Sequence, residues 1–204
     1  MTIATSTVDD FLETIDSAAP TPGGGAVAGV VGALAAALGG MVVHFTLGRK
    51  TYAAHATMHQ RTGAALSEAR RQALALADAD AAAYGRLNVL WKLPEDDPQR
   101  RASWDGAVDA AIDVPLRLLG LGADVLAHLE TLVGTSNRML RSDLGMAAVL
   151  AEATIRSAAW NVSINLPLLT DRARASTVRS EVEERIVAAR AASRRIEDAC
   201  RAGD

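Results

Sequence analysis

The chain has 204 residues, a formal charge of −3 and a single cysteine. The slight acidic balance supplies no bulk attraction to nucleic acid or to an anionic membrane. One thiol, Cys200, excludes an intramolecular disulfide and fits a reducing cytoplasm. Half of the residues are hydrophobic, yet only 3% are aromatic and alanine dominates, a balance that predicts an all-α protein because alanine is the strongest helix former. The length suits one core, so residues 1–204 are expected to form a single helical domain. Residues 1–9 lack a basic segment followed by an apolar one and do not resemble a signal peptide.

Thr7 is placed to cap a first helix, with Asp9 and Asp10 in the turn where a helix favours negative charge. Val8, Phe11, Leu12 and Ile15 follow at i, i+3, i+4 and i+7, a single apolar stripe. Pro20 ends that helix, and the prolines on either side of Thr21 fix the approach to Gly23, Gly24 and Gly25. Without Cβ atoms, these three let backbone amides come close to a ligand or to another backbone. The uncharged run at residues 26–47 predicts a helix whose N-terminus favours negative charge.

That run is long enough to span a bilayer. It carries Gly29, Gly32, Gly39 and Gly40, spaced as in helices that dimerise in lipid or that are buried on all sides in a soluble protein. It also holds His44 and Thr46, lacks an aromatic belt, and is followed by amphipathic helices. It is therefore expected to be a buried central helix, with no membrane as partner.

Gly48 marks a break after it, beside the cations Arg49 and Lys50. Residues 53–89 stay helical, with Leu66, Ala69, Ala73, Leu76, Asp80 and Tyr84 on one face. Asp80 is the anomaly there, since a carboxylate on an apolar stripe must be paired, hydrogen-bonded or functional. A polar turn at residues 93–98 opens a helix over residues 99–132, where Pro115 should kink the chain and free a carbonyl. Ser142 is the expected cap of a fifth helix, with Asp143 in its first turn and Asn161 and Asn165 further along. Val178, Val182, Ile186 and Ile196 carry a last helix with an arginine-rich, solvated face. The expected architecture is a bundle of about six helices.

His55 and His59 stand at i, i+4, a spacing that can ligate a metal, but no third ligand accompanies them and no metal is expected. There is no nucleophile elbow, P-loop or dinucleotide fingerprint. Trp91, Trp104 and Trp160 are too scattered to stack nucleic-acid bases. What remains is a set of polar residues on apolar helices: Arg49, Lys50, Asp80, Tyr84, Asp143, Asn161 and Asn165. With the glycine loop they offer anion donors, a carboxylate for proton transfer and amides for orientation. For each one alone, helix capping or an internal hydrogen bond is the simpler explanation.

Six short motifs in register carry a more specific signal. They are Ala19-Pro20-Thr21-Pro22-Gly23-Gly24-Gly25 with Leu47-Gly48-Arg49-Lys50-x-Tyr52, Asp78-Ala79-Asp80-x3-Tyr84, Leu93-Pro94, Val114-Pro115-Leu116, Asn137-x4-Ser142-Asp143-Leu144, and Asn161-Val162-x2-Asn165-Leu166. In these, nearly the whole chain resembles the cyclodeaminase/cyclohydrolase family of folate enzymes. The resemblance implies an all-helical symmetric oligomer, usually a homodimer, with folate clefts near the glycine loop. It puts the proton-transfer aspartate on Asp80 and a basic pair for anionic parts of the substrate on Arg49 and Lys50. Asp143, Asn161 and Asn165 match motif positions as further substrate contacts. The implied reactions are hydrolysis of a methenyl bridge or cyclisation of a formimino group with loss of ammonia, neither needing a metal or a redox cofactor.

The chain departs from the family pattern at Ala82, where relatives often carry a glutamate, and at Tyr84, His44 and Ser136. Loss of a carboxylate near Asp80 would alter the proton path, while Tyr84 and His44 would add polar groups near the cleft. Three functions stay open: a folate cyclohydrolase or cyclodeaminase, a diverged relative acting on a non-folate substrate, and a catalytically silent helical binding protein. Within the first, the absence of a formiminotransferase half favours the cyclohydrolase.

Overall fold

Capped turns alternate with long alanine-rich runs, and helices form where the runs are. The computed structural model describes residues 2–202. In that range the helices are α1 (Val8–Ile15), α2 (Gly24–His44), α3 (Ala56–Trp91), α4 (Pro98–Glu130), α5 (Arg141–Asn165) and α6 (Arg172–Arg201). Short 3-10 turns occupy Ile3–Thr5, Lys50–His55, Arg138–Leu140 and Leu166–Leu168, and the described residues contain no strand.

Side chains close three of the six α-helix starts among the described residues. Thr7 and Asp10 exchange hydrogen bonds in a reciprocal box at the start of α1. Asp97 accepts from the amides of Gln99 and Arg100, and Asp171 from those of Ala173 and Arg174. Ser142 does not cap α5. The helix begins at Arg141, entered directly from the Arg138–Leu140 turn with no side-chain cap. A chain already wound into a 3-10 turn leaves fewer amides for a cap to satisfy.

Helices α2, α3, α4 and α5 pack in sequence, α2 closes the ring against α5, and α6 lies along α5 and the flank of α4. Glycines on α2 set the spacing of that ring. A Cβ on Gly29 would sit 2.8 Å from the carbonyl oxygen of Ala73 on α3. Gly32 faces Thr154 of α5, and Gly39 faces Leu129 of α4 and Leu66 of α3. Close-packed interiors leave no room for added atoms, so these positions hold the helices at contact distance.

The expectation of a helix buried on all sides needs correction. Val30, Leu34, Leu38 and Met41 form a partly exposed outward stripe on α2, with Leu34 54% exposed and Phe45 just beyond the helix 53% exposed. The other three sides are covered by α3, α4 and α5, which accounts for an apolar helix long enough to cross a membrane as a core element. The apolar stripe on α1 also forms but is not buried, with Val8 and Leu12 exposed. The arginine-rich side of α6 is more than solvated surface. Arg174 pairs with Asp109 and Asp113 of α4, and Arg195 with Glu130 at 2.8 Å. Exposed pairs contribute about 0–1 kcal/mol each, so the buried Val178, Val182, Ala189 and Ile196 do most to hold α6 in place.

Candidate active site

A cleft of about 260 Å³ opens where α2 begins. Gly23 precedes the helix with no side chain to cap it, and the first helical bond runs from the Val27 amide to the Gly23 carbonyl. The earlier amides of the first turn therefore have no intrahelical acceptor. Asp80 of α3 lies directly against this turn, where a Cβ on Gly25 would overlap its carboxylate. Glycine at position 25 is thus a steric requirement of the site. Gly24 faces α5 instead, with its missing Cβ position 3.8 Å from Asn161 Oδ1.

Among the described residues no cation or hydrogen-bond donor pairs with Asp80. Burial in the cleft pushes its carboxyl up from the usual 3.8 to about 6. A carboxyl group there can exchange a proton in either direction near neutral pH. Tyr84, one turn further along α3, lines the cleft and is 40% exposed.

Asn161 and Asn165 complete the α5 wall. Asn161 Nδ2 donates to the Ser157 carbonyl at 3.1 Å. Asn165 Nδ2 donates to the Asn161 carbonyl at 2.9 Å and to the Ala111 carbonyl at 3.0 Å. Ala111 precedes Pro115 by one turn, and its helical donor would be the amide that proline lacks. The carbonyl expected to be freed by Pro115 is thus supplied from another helix.

Of the residues anticipated for the site, Gly23, Gly24, Gly25, Asp80, Tyr84, Asn161 and Asn165 come together. His44, Arg49, Lys50 and Asp143 do not. His44 ends α2, about 30 Å from Gly24 by the helical rise, and Arg49 and Lys50 follow it. Asp143 sits in the first turn of α5, about 27 Å from Asn161 along the same helix. Arg49 Nε donates to the Phe45 carbonyl at 2.8 Å and so closes the end of α2. The motifs around Thr46 and Asn137 meet at this far end, where the Asn137 amide donates to Thr46 Oγ1 at 2.9 Å.

Ala82 is not beside the Asp80 carboxylate. Two residues apart on a helix point to different sides, and Ala82 lines a separate groove with Arg86 and Val89. Ser136 is buried and donates to the Leu132 carbonyl, away from the cleft. His59 is buried beside His55 with ring centroids 6.1 Å apart, and burial is the main cause lowering its pKa. No group of three His, Cys, Asp or Glu residues gathers among the described residues.

The family profile described as formiminotransferase-cyclodeaminase matches residues 7–184. The chain belongs to this family. A methenyltetrahydrofolate cyclohydrolase from Methylorubrum extorquens is 34% identical over 194 residues, 93% of either chain. The formimidoyltransferase-cyclodeaminase of Sus scrofa is 33% identical over 176 residues, which cover 84% of this chain and 32% of that one. The crystal structure of a formiminotetrahydrofolate cyclodeaminase from Thermotoga maritima superposes with a TM-score of 0.83 at 30% identity, covering 97% of this chain and 95% of that one. The chain thus shares the cyclodeaminase fold.

Sequence reasoning missed Pro20, Thr21, Ala111 and Ile164 as cleft residues. Ile164 had a usable signal, since it falls one helical turn after Asn161. Ala111 had another, four residues before a mid-helix proline.

Proposed function

We propose that this family member hydrolyses 5,10-methenyltetrahydrofolate, with Asp80 as the acid–base group. The observation that carries the proposal is a half-buried carboxyl with no partner among the described residues, held against Gly25 and pushed up to about 6. The methenyl carbon is cationic, and an ionised carboxylate in a poorly solvated cleft attracts it. Asp80 takes a proton from water as the water oxygen bonds to that carbon. The N5–carbon bond then breaks, Asp80 returns its proton to N5, and the remaining hydroxyl proton is released as the 10-formyl carbonyl forms. The step needs no electron transfer and no Lewis acid. The match to the Methylorubrum cyclohydrolase at 34% identity over 93% of either chain supports this reading.

The alternative is cyclisation of 5-formiminotetrahydrofolate with loss of ammonia, favoured by the fold shared with the Thermotoga cyclodeaminase. Asp80 would deprotonate N10 and protonate the departing amine. Following methenyltetrahydrofolate absorbance with purified protein and an Asp80→Asn control tests the first reading. A rate no faster than the buffer blank overturns it. Release of ammonia from the formimino substrate identifies the second.

We further infer a homodimer. The family motifs fall into two groups at opposite ends of α2 and α5, one at the glycine turn and one around Arg49, Lys50 and Asp143. An antiparallel pairing of two copies through the outward stripe of α2 brings the second group of one protomer to the cleft of its partner. The exposed Leu34 and Phe45 support such a covered surface. Arg49 and Lys50 would there meet the anionic tail of the substrate.

A further inference from the structure

Asn165 is 8% exposed and both hydrogens of its amide are committed, to Ala111 and to Asn161. Both neighbours are carbonyl oxygens, so only one orientation of the side chain satisfies them. Oδ1 is then the atom that Asn165 has left for the cleft it lines. Asn161 is fixed in the same sense, with Nδ2 on Ser157 and Oδ1 towards the first turn of α2. The α3 and α5 walls therefore offer oxygen acceptors from Asn161, Asn165 and ionised Asp80. The amides at the start of α2 supply donors beside them.

We propose that Pro115 is a positioning residue: by withholding its amide from the Ala111 carbonyl it makes that carbonyl orient Asn165, so that Asn165 and Asn161 present acceptors to a substrate edge carrying N–H donors. The inference rests on the folate reading of the cleft, and the edge it selects is that of a 2-amino-pyrimidinone ring. The amino group and adjacent ring N–H of such a ring match two neighbouring acceptors. A site built to receive a hydrogen bond rejects an analogue lacking the donor, because its own buried group is left unpaired.

The test measures binding of 5-formyltetrahydrofolate and of its 2-desamino-2-methyl analogue, together with kcat and KM for methenyltetrahydrofolate. The wild type is expected to prefer the amino compound by about 10-fold or more. Asn165→Leu brings that preference close to unity and raises KM more than it lowers kcat. Pro115→Ala also raises KM, because residue 115 regains an amide that competes for the Ala111 carbonyl and releases Asn165. Should Asn165→Leu fold poorly, the double variant with Pro115→Ala supplies the carbonyl from within α4; it recovers stability but not discrimination. Equal binding of both folates by an active wild type overturns the acceptor assignment while the folate reading stands. An unchanged KM in Pro115→Ala overturns the role of the proline. A wild type that neither turns over the methenyl compound nor binds 5-formyltetrahydrofolate fails at the folate reading and overturns this inference with it.

Discussion

Gly25 and Asp80 are closed on one another so tightly that a Cβ at position 25 would overlap the aspartate carboxylate. The carboxyl proposed as the acid–base group is thus held against the backbone of the facing helix, with no ion pair among the described residues to position it. Gly25→Ala is expected to fold and to lose about 100-fold in kcat/KM, because a displacement of about 1 Å at a reacting group costs that much. Gly24→Ala, whose Cβ would make an ordinary 3.8 Å contact with Asn161, should lose far less. Circular dichroism and steady-state kinetics on the two variants check the contrast.

The titration of Asp80 makes two statements about pH. Activity that needs the carboxylate as base should rise with pH and level off above about 6 in kcat/KM. Asp80→Asn should lose about 100-fold or more and abolish that step. For stability the sign is opposite. The folded chain holds the proton from 3.8 up to about 6, where the unfolded chain has released it. The resulting stabilisation is complete at low pH and is lost as pH rises through about 6. Asp80→Asn should therefore have a higher Tm than the wild type at pH 8, with the gap closing toward pH 4, as calorimetry across pH would show.

Helix spacing gives a third contrast, between Gly29 and Gly40 on α2. A Cβ on Gly29 meets the Ala73 carbonyl at 2.8 Å, so Gly29→Ala should push α2 from α3 and destabilise the fold by about 1–3 kcal/mol. Gly40 has nothing within 4 Å of its missing Cβ, and Gly40→Ala should stabilise by about 0.4–1 kcal/mol. Urea unfolding of both variants measures the difference.

The proposed homodimer predicts complementation. Asp80→Asn and an Arg49→Ala/Lys50→Ala double variant should each be nearly inactive, yet mixing and reassociating them should restore up to about a quarter of wild-type activity, since one intact site forms in each mixed dimer. Leu34→Glu should yield a species with the 21.3 kDa mass of one chain in sedimentation experiments. A wild-type mass of one chain would refute the assembly.

The sequence carried the helices and the candidate polar residues further than it carried their arrangement. Thr7 with Asp10, the break at Gly48, and Asp80 on an apolar stripe all follow from local rules, and the structure contains each. Motif order groups Arg49 and Asp143 with the cleft but says nothing about distance across the long α2 and α5. Closeness in sequence puts Ala82 near Asp80, although a helix turns such neighbours apart. The bond from Asn165 to Ala111 joins helices 54 positions apart, and no local pattern encodes it.

Tyr84 and Ile164 stand at the rim of the cleft, 40% and 74% exposed, while Gly25 and Asp80 are fixed between two helices. A floor made by contact between helices tolerates no drift, because any enlargement moves a whole helix. A rim that faces water can be rewritten one side chain at a time without disturbing that contact. The scaffold therefore separates what it does to a proton from which molecule it admits, and descendants of this chain can change clients while inheriting the same reaction chemistry.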